Sequence, residues 1–182
     1  GSEHDWFRNN HKECLHGFID DAKGEIISLY MTKNECSFGY HECFRNMAIN
    51  KGIPMALYTD KLQVFYTIRD NKILNKPTQF GKIMDKLGVE LIPANSPQAK
   101  GRVERMWGTI QGQLPFWFWL HGVTTIDEAN QLLPKYIKFY NKKFAIEAKD
   151  SKHSAFVKAD LEQVNQYLKI TTIGKVDKGG VF

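Results

Sequence analysis

Residues 15–19 and 25–32 have the apolar content of strands, and residues 20–24, Asp-Asp-Ala-Lys-Gly, have turn chemistry. The pattern predicts a hairpin. From Ser37 the apolar spacing lengthens to that of a helix, with Tyr40, Phe44, Met47 and Ala48 on one face. Ser37 stands where a cap belongs, and Gly52 stops the helix. Pro54 leads into a short apolar run, residues 55–60, that predicts a buried strand ending on Asp60. Residues 61–76 are polar and read as irregular. A helix is expected from about Pro77–Thr78, with Phe80, Ile83, Met84 and Leu87 turned inward and Gly88 at its end. Residues 89–94 predict a second buried strand.

The helix after that strand carries the most distinctive chemistry of the chain. Ser96 is a good N-cap and Pro97 suits the first helical position. At helical spacing Lys100, Glu104, Gly108 and Gln111 share one face, and Val103, Trp107, Ile110 and Leu114 form the adjacent apolar stripe. One carboxylate among Lys100, Arg102 and Arg105 suits a metal ligand facing a phosphate backbone. A solvated helix with a Lys100–Glu104 ion pair explains the same spacing. Thr125-Ile126-Asp127-Glu128 is a capping box that announces a last long helix, with Ala129, Leu133, Ile137 and Tyr140 aligned and a kink expected at Pro134. Residues 160–168 predict a short helix, and residues 171–182 a frayed end or the start of another module.

Hairpin, helix, strand, helix, strand, helix is the order of a layered α/β domain. The expected division is a core over residues 1–148 and a C-terminal extension or further small module over residues 149–182. The charge of +5 permits a polyanionic partner without demanding one. No apolar run approaches the roughly 20 residues of a membrane span, so no membrane partner is expected. Three cysteines without paired CxxC spacing fit free thiols in a reducing compartment rather than disulfides or a structural zinc site.

The element order puts Asp60 at the carboxyl end of one strand and Glu104 in the first turns of a later helix. Sites in open α/β sheets gather at such strand ends, so the two acids are placed to converge. Carboxylates sharing divalent ions are the usual apparatus of in-line phosphoryl transfer.

Residues 56–61 (Ala-Leu-Tyr-Thr-Asp-Lys), 78–81 (Thr-Gln-Phe-Gly) and 93–105 (Pro-Ala-Asn-Ser-Pro-Gln-Ala-Lys-Gly-Arg-Val-Glu-Arg) resemble the catalytic core of DDE transposases, and most of all those of bacterial insertion sequences. Residues 124–130 and 140–145 resemble the closing helix of that group, which belongs to the retroviral-integrase superfamily. The resemblance implies a ribonuclease H-like α/β fold, a mixed sheet flanked by helices, with its first strand missing or truncated in this chain. It implies that Asp60 and Glu104 are the second and third catalytic acids and ligands of a two-metal Mg²⁺ (or Mn²⁺) site. The first acid would lie one residue before Gly1. The resemblance further implies strand cleavage at a transposon end and strand transfer into target DNA. Lys61, Lys100, Arg102 and Arg105 would position phosphates, and Asn95 and Gln98 would touch the DNA end or serve only as loop and helix-start hydrogen-bonding groups. A homo-oligomer on the bacterial nucleoid, in the cytoplasm, is the expected setting. The alternative is a catalytically incomplete nucleic-acid-binding and assembly domain. Forty-three residues separate the two acids, longer than the retroviral spacing, and the extra length falls in residues 61–76. Residues 114–120 (Leu-Pro-Phe-Trp-Phe-Trp-Leu) replace a charged amphipathic helix of the group. They read as a buried or subunit-facing cluster, or as a platform for stacked bases.

Overall fold

In the computed structural model the described residues are 1–94, 97–146 and 154–169, with the side chains of residues 97–100 and 102 set aside. Strands β1 (Ser2–His4), β2 (Glu13–Asp20) and β3 (Glu25–Thr32) form an antiparallel sheet in that order, and β2 pairs β3 from Cys14↔Thr32 to Asp20↔Glu25 with an irregularity at Phe18/Ile19. Side chains alternate across it as a pleated strand requires. Ser28 donates to the Cys43 carbonyl (2.8 Å) and Phe18 meets Phe44, both on α1 (Ser37–Asn50). Cys36, not Ser37, is the N-cap of α1, without a side-chain cap bond. Leu15, Leu29 and Met31 point the other way, into a separate core.

After β4 (Ile53–Pro54), the strand β5 (Ala56–Thr59) precedes a second hairpin, β6 (Tyr66–Arg69) and β7 (Lys72–Pro77). The stretch expected to be irregular is therefore partly ordered. Helix α2 (Gln79–Lys86) is capped by Thr78, whose Oγ1 accepts from Gly81 N, and it carries Phe80, Ile83 and Met84 inward. Strand β8 (Glu90–Pro93) runs parallel to β5, with Ala56↔Glu90 through Thr59↔Pro93. It is half-buried with Glu90 exposed, rather than fully buried. The long helix α3 (Pro97–Leu120) and the capped helix α4 (Ile126–Phe144) follow, and the predicted capping box is present at Thr125 and Glu128. The short strand β9 (Phe156–Val157) pairs with β4, and α5 (Leu161–Tyr167), capped by Asp160, completes the described chain.

The protein is thus mixed α/β, with five helices among the described residues. Parallel and antiparallel pairs are distributed over four small sheets rather than joined in one. One core, containing Trp6, Leu15, Met31, Ile110, Phe118 and Tyr136, lies between the three-stranded sheet and α3/α4. The other, containing Tyr40, Phe44, Leu57, Phe80, Met84 and Val164, gathers α1, α2, β5 and α5. Tyr136 is fully buried, whereas Ile137 only packs against the edge of this first core.

Gly17 and Gly52 stand at two of the places where elements touch closely. A Cβ at Gly17 would stand 2.8 Å from Leu29 Cδ2 and 3.1 Å from the Trp107 ring, so its absence lets α3 lie close on β2. Gly52 has φ +111°, and a Cβ there would stand 2.3 Å from the Val157 carbonyl. That close approach lets β9, and α5 behind it, join the second core.

The aromatic run at residues 114–120 divides by helical phase. Leu114 and Phe118 are fully buried, and Phe118 stacks on Phe7 at 5.6 Å. Trp117 packs on Phe139 at 4.6 Å, while Phe116 and Trp119 stack on each other in solvent. The run is therefore buried in the core along one side only, because residues two apart on a helix cannot face the same core.

Candidate nucleic-acid site

Asp60 follows β5 directly and is exposed, as is Lys61 beside it. The strand end is held from both sides. Ala94 N donates to the Thr59 carbonyl at 2.8 Å, extending the β5–β8 pairing by one step towards α3. Thr59 Oγ1 donates to the Tyr66 hydroxyl at 3.0 Å, and Phe65 N and Tyr66 N both reach the Leu62 carbonyl at 3.0 Å. The chain therefore turns tightly after Asp60 and returns to brace the residue before it.

Two phenols sense the Asp60 charge. Burial raises the Tyr66 hydroxyl above its ordinary value; the Thr59 hydrogen bond opposes that and Asp60 adds to it. Tyr40 is pushed far up by burial, by its hydrogen bond to Glu35 (2.7 Å), and then by the charges of Glu35 and Asp60. The Gly1 nitrogen also lies on the Tyr40 hydroxyl and 3.1 Å from Glu35. Tyr40 is thus a link between the start of β1 and the neighbourhood of Asp60.

Helix α3 approaches from the other side. Gln111 Nε2 donates to Ser2 Oγ at 2.9 Å, fastening the helix to β1. Glu104 is seven residues earlier and shares the face of Gln111, about 10 Å back along the axis. Glu104 and Arg105 are exposed, and Arg105 Nε donates to the Gly101 carbonyl at 3.2 Å. Gln98, Lys100 and Arg102 lie on the first turns of α3, but their side chains fall outside the description, as does all of Asn95.

Strand β8 pairs along β5, which stops one residue before Asp60, and α3 begins four residues after the last residue of β8. Both carboxylates present hard oxygens to solvent, the donor type that Mg²⁺ and Mn²⁺ take. Among the described residues no group of three His, Cys, Asp or Glu side chains is gathered to hold a metal ion. The donor chemistry of these two carboxylates fits a divalent cation. Sequence reasoning missed the braces Thr59, Tyr66, Tyr40 and Gln111. Gln111 alone had a signal, its shared face with Glu104.

Over 148 residues, 80% of the chain, the sequence is 41% identical to y4bF of Sinorhizobium fredii, a transposase candidate by its name. Over 151 residues, 81% of the chain, it is 38% identical to the transposase for insertion sequence IS1202 of Streptococcus pneumoniae. The chain is similar to transposases. It spans about a third of the length of each of these curated relatives, 32% in both cases. No family model matches it. Among the described residues no helix is long and apolar enough to cross a membrane.

Proposed function

We propose that the chain is the catalytic core of a DDE-type transposase with a ribonuclease H-like fold, acting on DNA in transposition. The observation that carries this reading is the placement of Asp60 at the carboxyl end of β5, on the strand that pairs with β8, whose exit leads into the Glu104 helix. The likeness to two transposases over four-fifths of the chain points the same way.

In this reading Asp60 and Glu104 hold Mg²⁺ or Mn²⁺. The bound cations would supply activation of the attacking oxygen and charge stabilisation at the leaving one. The protein's part is positioning. Lys61 beside Asp60 and Arg105 beside Glu104 hold phosphate oxygens, with Lys100 and Arg102 on the same helix start. These contacts fix register and carry little sequence information. Asn95, between β8 and the acid helix, and Gln98, on the first turn of that helix, contact the DNA end. Substrates are the transposon ends and the target duplex. The working unit is a homo-oligomer on the nucleoid in the bacterial cytoplasm.

The test is a strand-cleavage and strand-transfer assay with Mn²⁺, using the full-length protein and labelled element ends. Asp60→Asn and Glu104→Gln should each abolish product while leaving duplex binding in place. Cleavage undiminished in Glu104→Gln would overturn the assignment. Binding without any cleavage by the wild-type protein would leave an assembly domain as its role.

A further inference from the structure

The hairpin that replaces the expected irregular stretch has a feature the reading above does not use. Its register pairs Ile68 with Ile73 and Arg69 with Lys72. Paired residues project to the same side of a ribbon, and successive residues alternate. Arg69 and Lys72 therefore share one face and Ile68 and Ile73 the other; the register then shifts by two residues before Tyr66↔Pro77, so Leu74, Asn75 and Lys76 stand opposite Thr67 alone. Neither strand carries an acid. The nearest, Asp70, sits in the turn, its carboxylate 3.9 Å from Arg69 Nε with both side chains more than four-fifths exposed.

Asp70 and Asn71 form that turn with φ of 49° and 59°, the left-handed pair that matches strand twist in a two-residue hairpin. Every residue of β7 is exposed, and among the described residues the hairpin pairs with no further strand. A lone two-stranded ribbon is marginal in water. In this one Tyr66, Thr67 and Ile68 of β6 are half-buried, and the hydrogen bonds that hold it to the body gather at its root. Phe65 is 4% exposed in the second core, Thr78 Oγ1 donates to its carbonyl at 3.2 Å, and Tyr66 is tied to Thr59. The result is an arm with a rigid base and a solvated cationic blade, starting six residues beyond Asp60.

We infer that the β6–β7 hairpin is a DNA-contacting arm. It lies along the duplex whose backbone reaches Asp60 and Glu104, with Arg69, Lys72 and Lys76 on its phosphates. The inference rests on the transposase reading and names a contact surface that reading lacks. Charge complementarity selects the occupant: three exposed cations on one short hairpin, Arg69 and Lys72 paired on one face and Lys76 nearer the root, match a phosphate track, and B-DNA's major groove admits a two-stranded ribbon. The rival explanation is that lysines on an exposed strand merely prevent pairing with another chain.

The experiment uses the full-length protein and a fluorescent 30-base-pair duplex, with anisotropy titrations between about 50 and 200 mM salt. Arg69→Gln, Lys72→Gln and Lys76→Gln are combined in one variant. Lys135→Gln, Lys138→Gln and Lys142→Gln on α4 form a control with the same change in net charge. The hairpin variant should bind about tenfold more weakly near 150 mM salt and lose about three units of log–log salt slope, one per phosphate contact. The α4 control should lose less than one unit. Equal losses in both variants would overturn the inference, as would an unchanged slope, with or without aggregation of the hairpin variant. Wild-type protein that binds no duplex at all would remove the transposase reading together with the arm. Wild-type protein that binds and cleaves, with a hairpin variant indistinguishable from it, would remove the arm alone.

Discussion

The side-chain amide of Asn141 pairs with both backbone groups of Ile26, accepting from its N–H at 2.8 Å and donating to its carbonyl at 2.8 Å. Asn130 does the same for Met31, at 2.7 and 3.0 Å. Each amide thus acts as one residue of an absent neighbouring strand along the free edge of β3. The two match because their spacings are commensurate. Eleven residues of helix and five of strand both cover about 16.5 Å, so α4 lies along β3 without slipping.

Replacing either asparagine by leucine leaves a buried backbone pair unsatisfied. Asn141→Leu should cost about 1–3 kcal/mol in urea unfolding, and Asn130→Leu a similar amount. The two losses should add nearly independently, since the sites are well separated along the strand.

Phe118 and Trp119 test the phase of α3. Phe118 is fully buried and Trp119 is 64% exposed. Phe118→Ala should cost about 3–5 kcal/mol, while Trp119→Ser should stay within about 0.5 kcal/mol of wild type in the same measurement. Similar costs for both would refute the division of the aromatic run.

A side chain at Gly17 would drive β2 and α3 apart. Gly17→Val should destabilise by at least about 1–3 kcal/mol, the usual range for overpacking. Its diagnostic effect is on Trp107, whose ring lies over this position. Mass-spectrometric hydrogen exchange should show faster exchange in α3 than in α1.

His16 is fully buried, its Nδ1 3.2 Å from the Tyr30 carbonyl and its ring against Tyr40. Burial pushes it down to about 4, against the opposing pull of the Tyr30 carbonyl and Glu35. The folded state therefore selects neutral imidazole. Stability from this group is complete above pH 6.5, where the unfolded chain is also neutral, and falls as the pH drops towards 4. His41, whose ring nitrogens are buried without partners, is shifted the same way, by burial and then by Arg45, with Glu42 opposing. Urea midpoints should fall between pH 6.5 and 4, and NMR should show the His16 ring neutral until close to pH 4.

Much of the fold is legible from period alone. The 13–32 hairpin, α1, α2 and α4 each have a one-sided apolar pattern, and Thr78, Thr125 and Asp160 signal helix starts that the structure retains. The β6–β7 hairpin escaped because β7 buries neither face, so nothing in its sequence had to alternate towards a core. Its one usable signal was Asp70-Asn71, a pair tolerant of left-handed backbone. The parallel pairing of β5 with β8 was invisible because a four-residue apolar strand does not say which other strand it meets. Within the candidate site, Asp60 and Glu104 stood out through motif resemblance. The groups that hold their elements in place, Thr59, Tyr66 and Gln111, are ordinary polar residues whose value lies in contacts made across the chain.

Helix α3 carries Glu104 near its start and the buried pair Leu114 and Phe118, on either side of Pro115, near its end. The core therefore sets the azimuth of the carboxylate as a camshaft sets its lobes. A single alanine inserted after Thr109 would turn Glu104 by about 100° relative to the packed end and advance it by about 1.5 Å. Leu114 and Phe118 would stay seated, while Met106 turned out of the first core together with the acid.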